Sequence, residues 1–180
     1  MSRRVIRKSS RYCDLQAADL LQSLFAVEFI CPSRVLWLVS AWVSDVLVLD
    51  NSAGGFVGID PAWDARQMRL SEVLVALAAR GTQIVVATNT DDHNRAFFER
   101  LHSTSLQFGV GDLVQVGLHP DLHAKGLLGD DYHLHGSMNF THNGLRILTE
   151  ELVLDLDPDH VQRTRLDYLE WFGPARTDRA

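Results

Sequence analysis

Lysine is almost missing from this chain. Its 180 residues hold 15 arginines but only two lysines, Lys8 and Lys125. Where arginine is used so freely, a retained lysine is either ordinary chance or the mark of a site that takes a compact ammonium and not a planar fork. Cysteine is as sparse. Cys13 and Cys31 cannot build a disulfide framework or an all-cysteine zinc site, and are expected as reduced, partly buried thiols. A positive charge excess is missing too. With 17 basic residues against 23 acidic ones the net charge is −6, which argues against coating nucleic acid by bulk charge but leaves room for a local basic patch. There is no long apolar run. The stretch Leu20–Leu49 is broken by Glu28, Pro32, Arg34 and Asp45, so its charge-free pieces fall below the roughly 18 residues a membrane-spanning helix needs. Met1–Arg11 has no apolar segment behind its basic residues and does not read as a secretory signal. The expectation is a soluble, cytoplasmic protein.

What is present is ordinary for a globular domain: 46% hydrophobic and 22% charged residues. The length suits one domain with a real core. The first 11 residues carry five basic side chains, Arg3, Arg4, Arg7, Lys8 and Arg11. Residues 1–13 are therefore expected to be a basic arm, either solvated or contacting an anionic partner such as nucleic acid. Asp14 can cap a helix bearing Leu20, Leu21, Leu24, Phe25 and Phe29, with Pro32 ending it. Val35–Val39 and Gln83–Ala87 read as strands buried on both faces. Between them lie a loop over 51–64 and a helix that Ser71 is expected to cap and Gly81 to end. Asp91 or Asp92 opens a helix with Phe97, Phe98 and Leu101, and this alternation predicts parallel α/β structure. Short strands follow at 113–118, 122–128, 132–137 and 151–156, with a hairpin turn at Gly129–Asp131. Asp157 and Pro158 start the last helix, which would hold Val161, Tyr168, Leu169 and Phe172, and residues 173–180 read as a tail.

The segment that carries chemistry is His123-Ala-Lys125, then Asp130, then Gly136-Ser137-Met138-Asn139. On a strand, His123 and Lys125 would share a face. Ser137 and Asn139 would come from the end of the paired strand. An imidazole, an ammonium, a hydroxyl and an amide around one oxyanion suit phosphoryl transfer, with the imidazole attacking phosphorus while the donors hold the equatorial oxygens.

These residues resemble the signature of the phospholipase D superfamily, His-x-Lys-x4-Asp followed by Gly-Ser-x-Asn, read here as HAKGLLGD at 123–130 and GSMN at 136–139. Glu150 stands where the family has an acidic residue that orients the histidine. The resemblance implies an α/β fold over 14–172, with a mixed sheet flanked by helices. It also implies a metal-independent phosphodiesterase with catalytic residues His123, Lys125, Ser137, Asn139, Asp130 and Glu150. The first four would bind the phosphate. The histidine would form a covalent phosphohistidine, and a histidine from a second copy of the motif would protonate the leaving oxygen and then activate water. The chain holds one copy, and single-motif members of the family form homodimers with their motifs meeting at the two-fold axis. No cofactor is implied. Small single-motif members look like nucleases, so DNA, before RNA, is the expected substrate. The form also resembles stand-alone bacterial proteins of defence and DNA-modification islands, including those inserting 7-deazaguanine derivatives. One departure stands out: the spacing from Asp130 to Gly136 is one residue shorter than the family pattern, which leaves Asp131 as a substitute for Asp130.

Three rivals remain. Five of the eight histidines fall between 119 and 142, and His133 with His135 could chelate a metal from one strand face. The fold could bind nucleic acid or a partner protein without turnover. Phospholipid cleavage is the third, although no stretch reads as a Lys- and Arg-rich amphipathic membrane helix.

Overall fold

A computed structural model describes residues 3–9, 15–58 and 65–173. In chain order its elements are β1 (Arg3–Lys8), α1 (Gln16–Ile30), β2 (Val35–Ser40), β3 (Leu47–Asp50), β4 (Gln67–Arg69), α2 (Leu70–Ala78), β5 (Gln83–Thr88), α3 (Arg95–Gln107), β6 (Val114–Leu118), β7 (Lys125–Leu128), β8 (His133–Gly136), β9 (Glu150–Asp155) and α4 (Pro158–Phe172). Seven strands form one sheet in the order β1-β9-β8-β7-β2-β5-β6, and β3 with β4 forms a separate ribbon. The neighbours β2, β5 and β6 run parallel, while β2–β7, β7–β8, β8–β9 and β9–β1 are antiparallel. The result is the expected mixed sheet flanked by helices.

The apolar runs of β2 and β5 sit at the centre because both of their faces are covered. One face packs Leu36, Leu38, Ile84 and Val86 against α1, α2 and α3. The other packs Trp37, Val39, Val85 and Ala87 against Val161 and Tyr168 of α4. On α1 the expected apolar stripe is buried, and with it Glu28. The Glu28 carboxylate accepts bonds from Ser33 N at 2.9 Å and Ser33 Oγ at 2.8 Å. Its burial still raises its pKa.

Several expectations shift. Asp14, Cys13 and Arg11 lie outside the described residues, as do residues 174–180 of the expected tail. Cys31 is exposed, not partly buried. Ser71 is buried inside α2 and does not cap it. Arg69 precedes the helix and donates its N–H to Glu72 at 2.8 Å, while Asp45 accepts from Ser71 N at 2.9 Å. In α4, Asp157 caps as expected, accepting from His160 N at 3.0 Å, but Leu169 faces out.

The largest correction is at the N-terminus. Arg3–Lys8 is not a solvated arm over these residues but the edge strand β1, paired along the whole of β9. Ile6 and Lys8 turn inward, and Lys8 donates to the carbonyl of Gly144 at 2.7 Å. A buried ammonium so engaged is not available to a phosphate. Arg7 pairs with Glu151 at 2.7 Å and Arg3 approaches Asp155 at 4.0 Å, so β1 carries cations into an acidic neighbour strand.

Candidate active site

The motif residues meet where β2, β7, β8 and β9 come to one end of the sheet. Lys125 opens β7 and stands opposite Ser40, the last residue of β2. His123 is not on the strand. It lies in the loop before it, exposed, so period-two alternation does not bring it to Lys125. The lysine instead folds back: its ammonium donates to the carbonyl of His123 and lies 3.3 Å from His123 Nδ1. Partial burial lowers the pKa of Lys125, and the Glu150 carboxylate opposes that shift. Glu150 thus reaches Lys125 electrostatically.

The Gly-Ser-x-Asn segment follows β8 and is shaped by its glycine. Gly136 has φ of +148°, and a Cβ there would sit 2.1 Å from the carbonyl oxygen of Glu151. Only a bare backbone lets the next residue close on β9. Ser137 N then donates to that carbonyl at 3.0 Å. The Ser137 hydroxyl donates to Glu150 and accepts from Glu151 N at 3.0 Å. Its one proton is therefore engaged by a carboxylate. In this arrangement Ser137 holds Glu150 in place and does not present a donor to phosphate. Glu150 makes no hydrogen bond to His123 among the described residues, which departs from the orienting role expected of it.

Asn139 is half-buried, and its amide is fixed. Oδ1 faces Ser40 Oγ at 3.2 Å and the backbone N of Trp42 at 3.4 Å. A backbone N–H can only donate, so Oδ1 is the atom turned inward and Nδ2 is left as the donor for an incoming anion. Ser40 and Trp42 escaped the sequence reading because they lie about a hundred residues upstream of the motif. The only signal was that strand β2 ends in a hydroxyl residue followed by an exposed tryptophan. The indole N–H of Trp42 is held by Asp91 at 3.2 Å.

Asp130 does not join this group. It lies past the far end of β7, where its carboxylate accepts from Arg34 N at 3.1 Å and pairs with Arg34 Nε at 3.3 Å and Arg165 at 3.1 Å. Its own N–H donates to Ser33 Oγ at 2.7 Å, which links it to the Glu28–Ser33 network. It ties the start of β2 and the middle of α4 to the hairpin, which is support at a distance. Asp131 is exposed beside it and does not replace it. Of the expected residues, then, His123, Lys125, Ser137, Asn139 and Glu150 gather, while Asp130 stands apart.

No helix among the described residues is long and apolar enough to cross a membrane. No family model matches the chain, and no curated protein matches it. Solved structures do match its fold. NucT from Helicobacter pylori superposes with a TM-score of 0.58 and 14% identity over 93% of each chain. Nuc from Salmonella typhimurium, a phospholipase D family member, superposes with 0.55 and 13% over 93% of each chain. TrmBL2, an archaeal chromatin protein with a novel mode of DNA binding, gives 0.52 and 10%, over 95% of this chain and 52% of that one. At such identities the likeness establishes the fold alone.

Proposed function

We propose that this chain, which has the phospholipase D-like fold, is a metal-independent phosphodiesterase that cleaves nucleic acid, DNA before RNA, as a homodimer. The observation that carries the reading is the convergence of His123, Lys125, Asn139 and the Glu150–Ser137 pair from the ends of three strands, β7, β8 and β9, at one end of the sheet. The names of two structurally similar proteins, a phospholipase D family member and a DNA-binding chromatin protein, support the substrate class.

In this reading Lys125 and Asn139 Nδ2 bind the equatorial phosphate oxygens, with the Lys125 ammonium kept charged by Glu150. His123 attacks phosphorus, forming a P–N bond as the P–O bond to the leaving group breaks. The leaving oxygen takes a proton from the partner subunit's His123. That second imidazole then removes a proton from water, whose oxygen displaces the P–N bond and frees His123. Each chain supplies half of the machinery, which is why a homodimer belongs to the proposal. A role in DNA modification or defence is the biological setting proposed for it.

A second reading, a binding module without turnover, draws on one observation. A protonated Lys125 cannot accept, so its contact makes Nδ1 of His123 the acceptor and puts the ring proton on Nε2. Attack through Nε2 then requires Lys125 to turn to the phosphate and the ring to exchange its proton.

Wild-type and His123→Ala protein incubated with single- and double-stranded DNA and RNA in EDTA separate the two readings. Cleavage by the wild type alone, with trapped phosphohistidine, is expected. Equal activity of the variant, or a stable monomer at micromolar concentration by light scattering, overturns the catalytic reading.

A further inference from the structure

Away from the motif, three imidazoles gather on the opposite face of the sheet. His133 and His135 are two residues apart on β8 and so share a face, and His160 meets them from the first turn of α4. This is the face on which Gly126 lies: a Cβ there would come within 2.9 Å of His133 Nε2 and 2.8 Å of the Tyr168 hydroxyl. Lys125, the residue before it on β7, points to the other side.

The three rings are closely matched. His133 Nδ1 lies 3.1 Å from His160 Nε2. One ligand nitrogen from each of the three residues lies within 4.8 Å of the others. The His133 and His135 rings stack at 4.5 Å between centroids. A tetrahedral ion with bonds of about 2.1 Å sets its nitrogen ligands roughly 3.4 Å apart. The His133–His160 pair is already near that spacing, and with all three nitrogens within 4.8 Å of one another no pair needs to close by more than about 1.4 Å. His135 Nε2 is a buried ring nitrogen without a hydrogen-bond partner among the described residues.

The surroundings fit a ligand set. The Tyr168 hydroxyl lies 3.4 Å from His133 Nε2, the nitrogen not facing His160, so it can take that ring proton and leave Nδ1 as the lone-pair atom. Burial lowers the pKa of His133 to about 3 and lowers that of His135, which keeps both rings in the neutral form that ligates. Asp155, opposite His133 in the β8–β9 pair, places a negative charge beside them, partly offset by Arg3.

We propose that His133, His135 and His160 hold a zinc-class divalent transition-metal ion with an open fourth position, and that this ion fastens α4 to the sheet. The need for a fastener is visible in α4 itself, which buries only Val161 and Tyr168. The ion lies on the other face from the motif and takes no part in phosphodiester cleavage, so activity in EDTA and metal binding are separate readouts.

The test is direct. Chelator-stripped protein is titrated with Zn2+ and with Co2+. One ion per chain, tetrahedral Co2+ absorption bands and a higher thermal midpoint with Zn2+ are expected. His135→Ala and His160→Ala should lose all three, Tyr168→Phe should weaken affinity about ten- to hundredfold, and His102→Ala, exposed on α3, should change nothing. Uptake of no ion by the wild type overturns the proposal, as does unaltered Co2+ binding by folded His160→Ala. Should the alanine variants fail to fold, X-ray absorption at the zinc edge of the wild type decides. Three imidazole nitrogens support the site, and two or fewer overturn it.

Discussion

The hydroxyl of Ser40 lies 3.2 Å from the amide oxygen of Asn139, 99 residues further along the chain. That contact joins the end of β2 to the motif and decides which way the amide points. The same hydroxyl accepts from Phe140 N at 3.2 Å and reaches the carbonyl of Trp42 at 2.8 Å. Ser40→Ala would let the Asn139 amide turn and would strip the buried Phe140 N–H of its acceptor. The rate constant for cleavage should fall up to about a hundredfold, as for a group displaced by an ångström. KM should move much less. Stability should drop by about 1–3 kcal/mol. Steady-state kinetics beside urea unfolding checks both. A variant with lower stability and an unchanged kcat would make Ser40 a folding residue only.

Trp42 offers the site an aromatic surface. The residue is 37% exposed, its backbone N–H is tied to Asn139, and its indole N–H is tied to Asp91, so the ring is held at the rim. A base stacked on such a ring contributes about 1–3 kcal/mol. Trp42→Ala should therefore weaken binding of single-stranded oligonucleotides by about tenfold or more, and Trp42→Phe should retain most of it. Fluorescence anisotropy at fixed salt measures this. Equal loss in both variants would point to the Asp91 bond and not to stacking.

The basic residues of β1 divide by exposure. Arg3, Arg4 and Arg7 are exposed, and Arg4 forms no ion pair among the described residues, whereas Lys8 is buried on Gly144. Replacing Arg3, Arg4 and Arg7 with Gln should flatten the salt dependence of DNA binding, by a slope of about 0.9 for each phosphate no longer neutralised. Lys8→Met should leave that slope alone and lower stability by about 1–3 kcal/mol, because the Gly144 carbonyl is deprived of its donor. Binding titrations across a salt series, paired with thermal unfolding, separate the two roles. A flattened slope in Lys8→Met would contradict the inward geometry.

This division also shows what pattern alone can tell. The buried strands β2 and β5, the helix stripe of α1 and the Asp157–Pro158 start were legible because continuous apolar runs, 3.6-residue spacing and cap chemistry are local. Strand β1 was not. RRVIRK has the composition of a solvated arm, and only its pairing with β9, some 150 residues away, makes it a strand. His123 and Lys125 were legible by spacing, yet the contact between them arises from the lysine turning back on the loop. His160 was invisible as a partner of His133 and His135. It sits in the first turn of α4, and nothing local says which strand that turn will cover.

Two of these histidines, His133 and His135, make stability depend on acidity. Folded His133 stays neutral down to about pH 3, whereas its ordinary value is 6.5. Between those limits the unfolded chain holds a proton that the folded one rejects. Stability must therefore fall as pH drops from 6.5 toward 3, by up to about 1.4 kcal/mol per pH unit for this one group. Above 6.5 both states are unprotonated and the contribution is level. Burial is the main cause, reinforced by His135 and His160 and opposed by Asp155, with Tyr168 against the other edge of the ring. His135 shifts the same way. In EDTA, so that no ion competes with protons, His133→Gln should show a shallower decline of unfolding free energy than the wild type across this window. Comparing the two proteins removes the carboxylates common to both. Equal slopes would mean that His133 already takes a proton in the folded state.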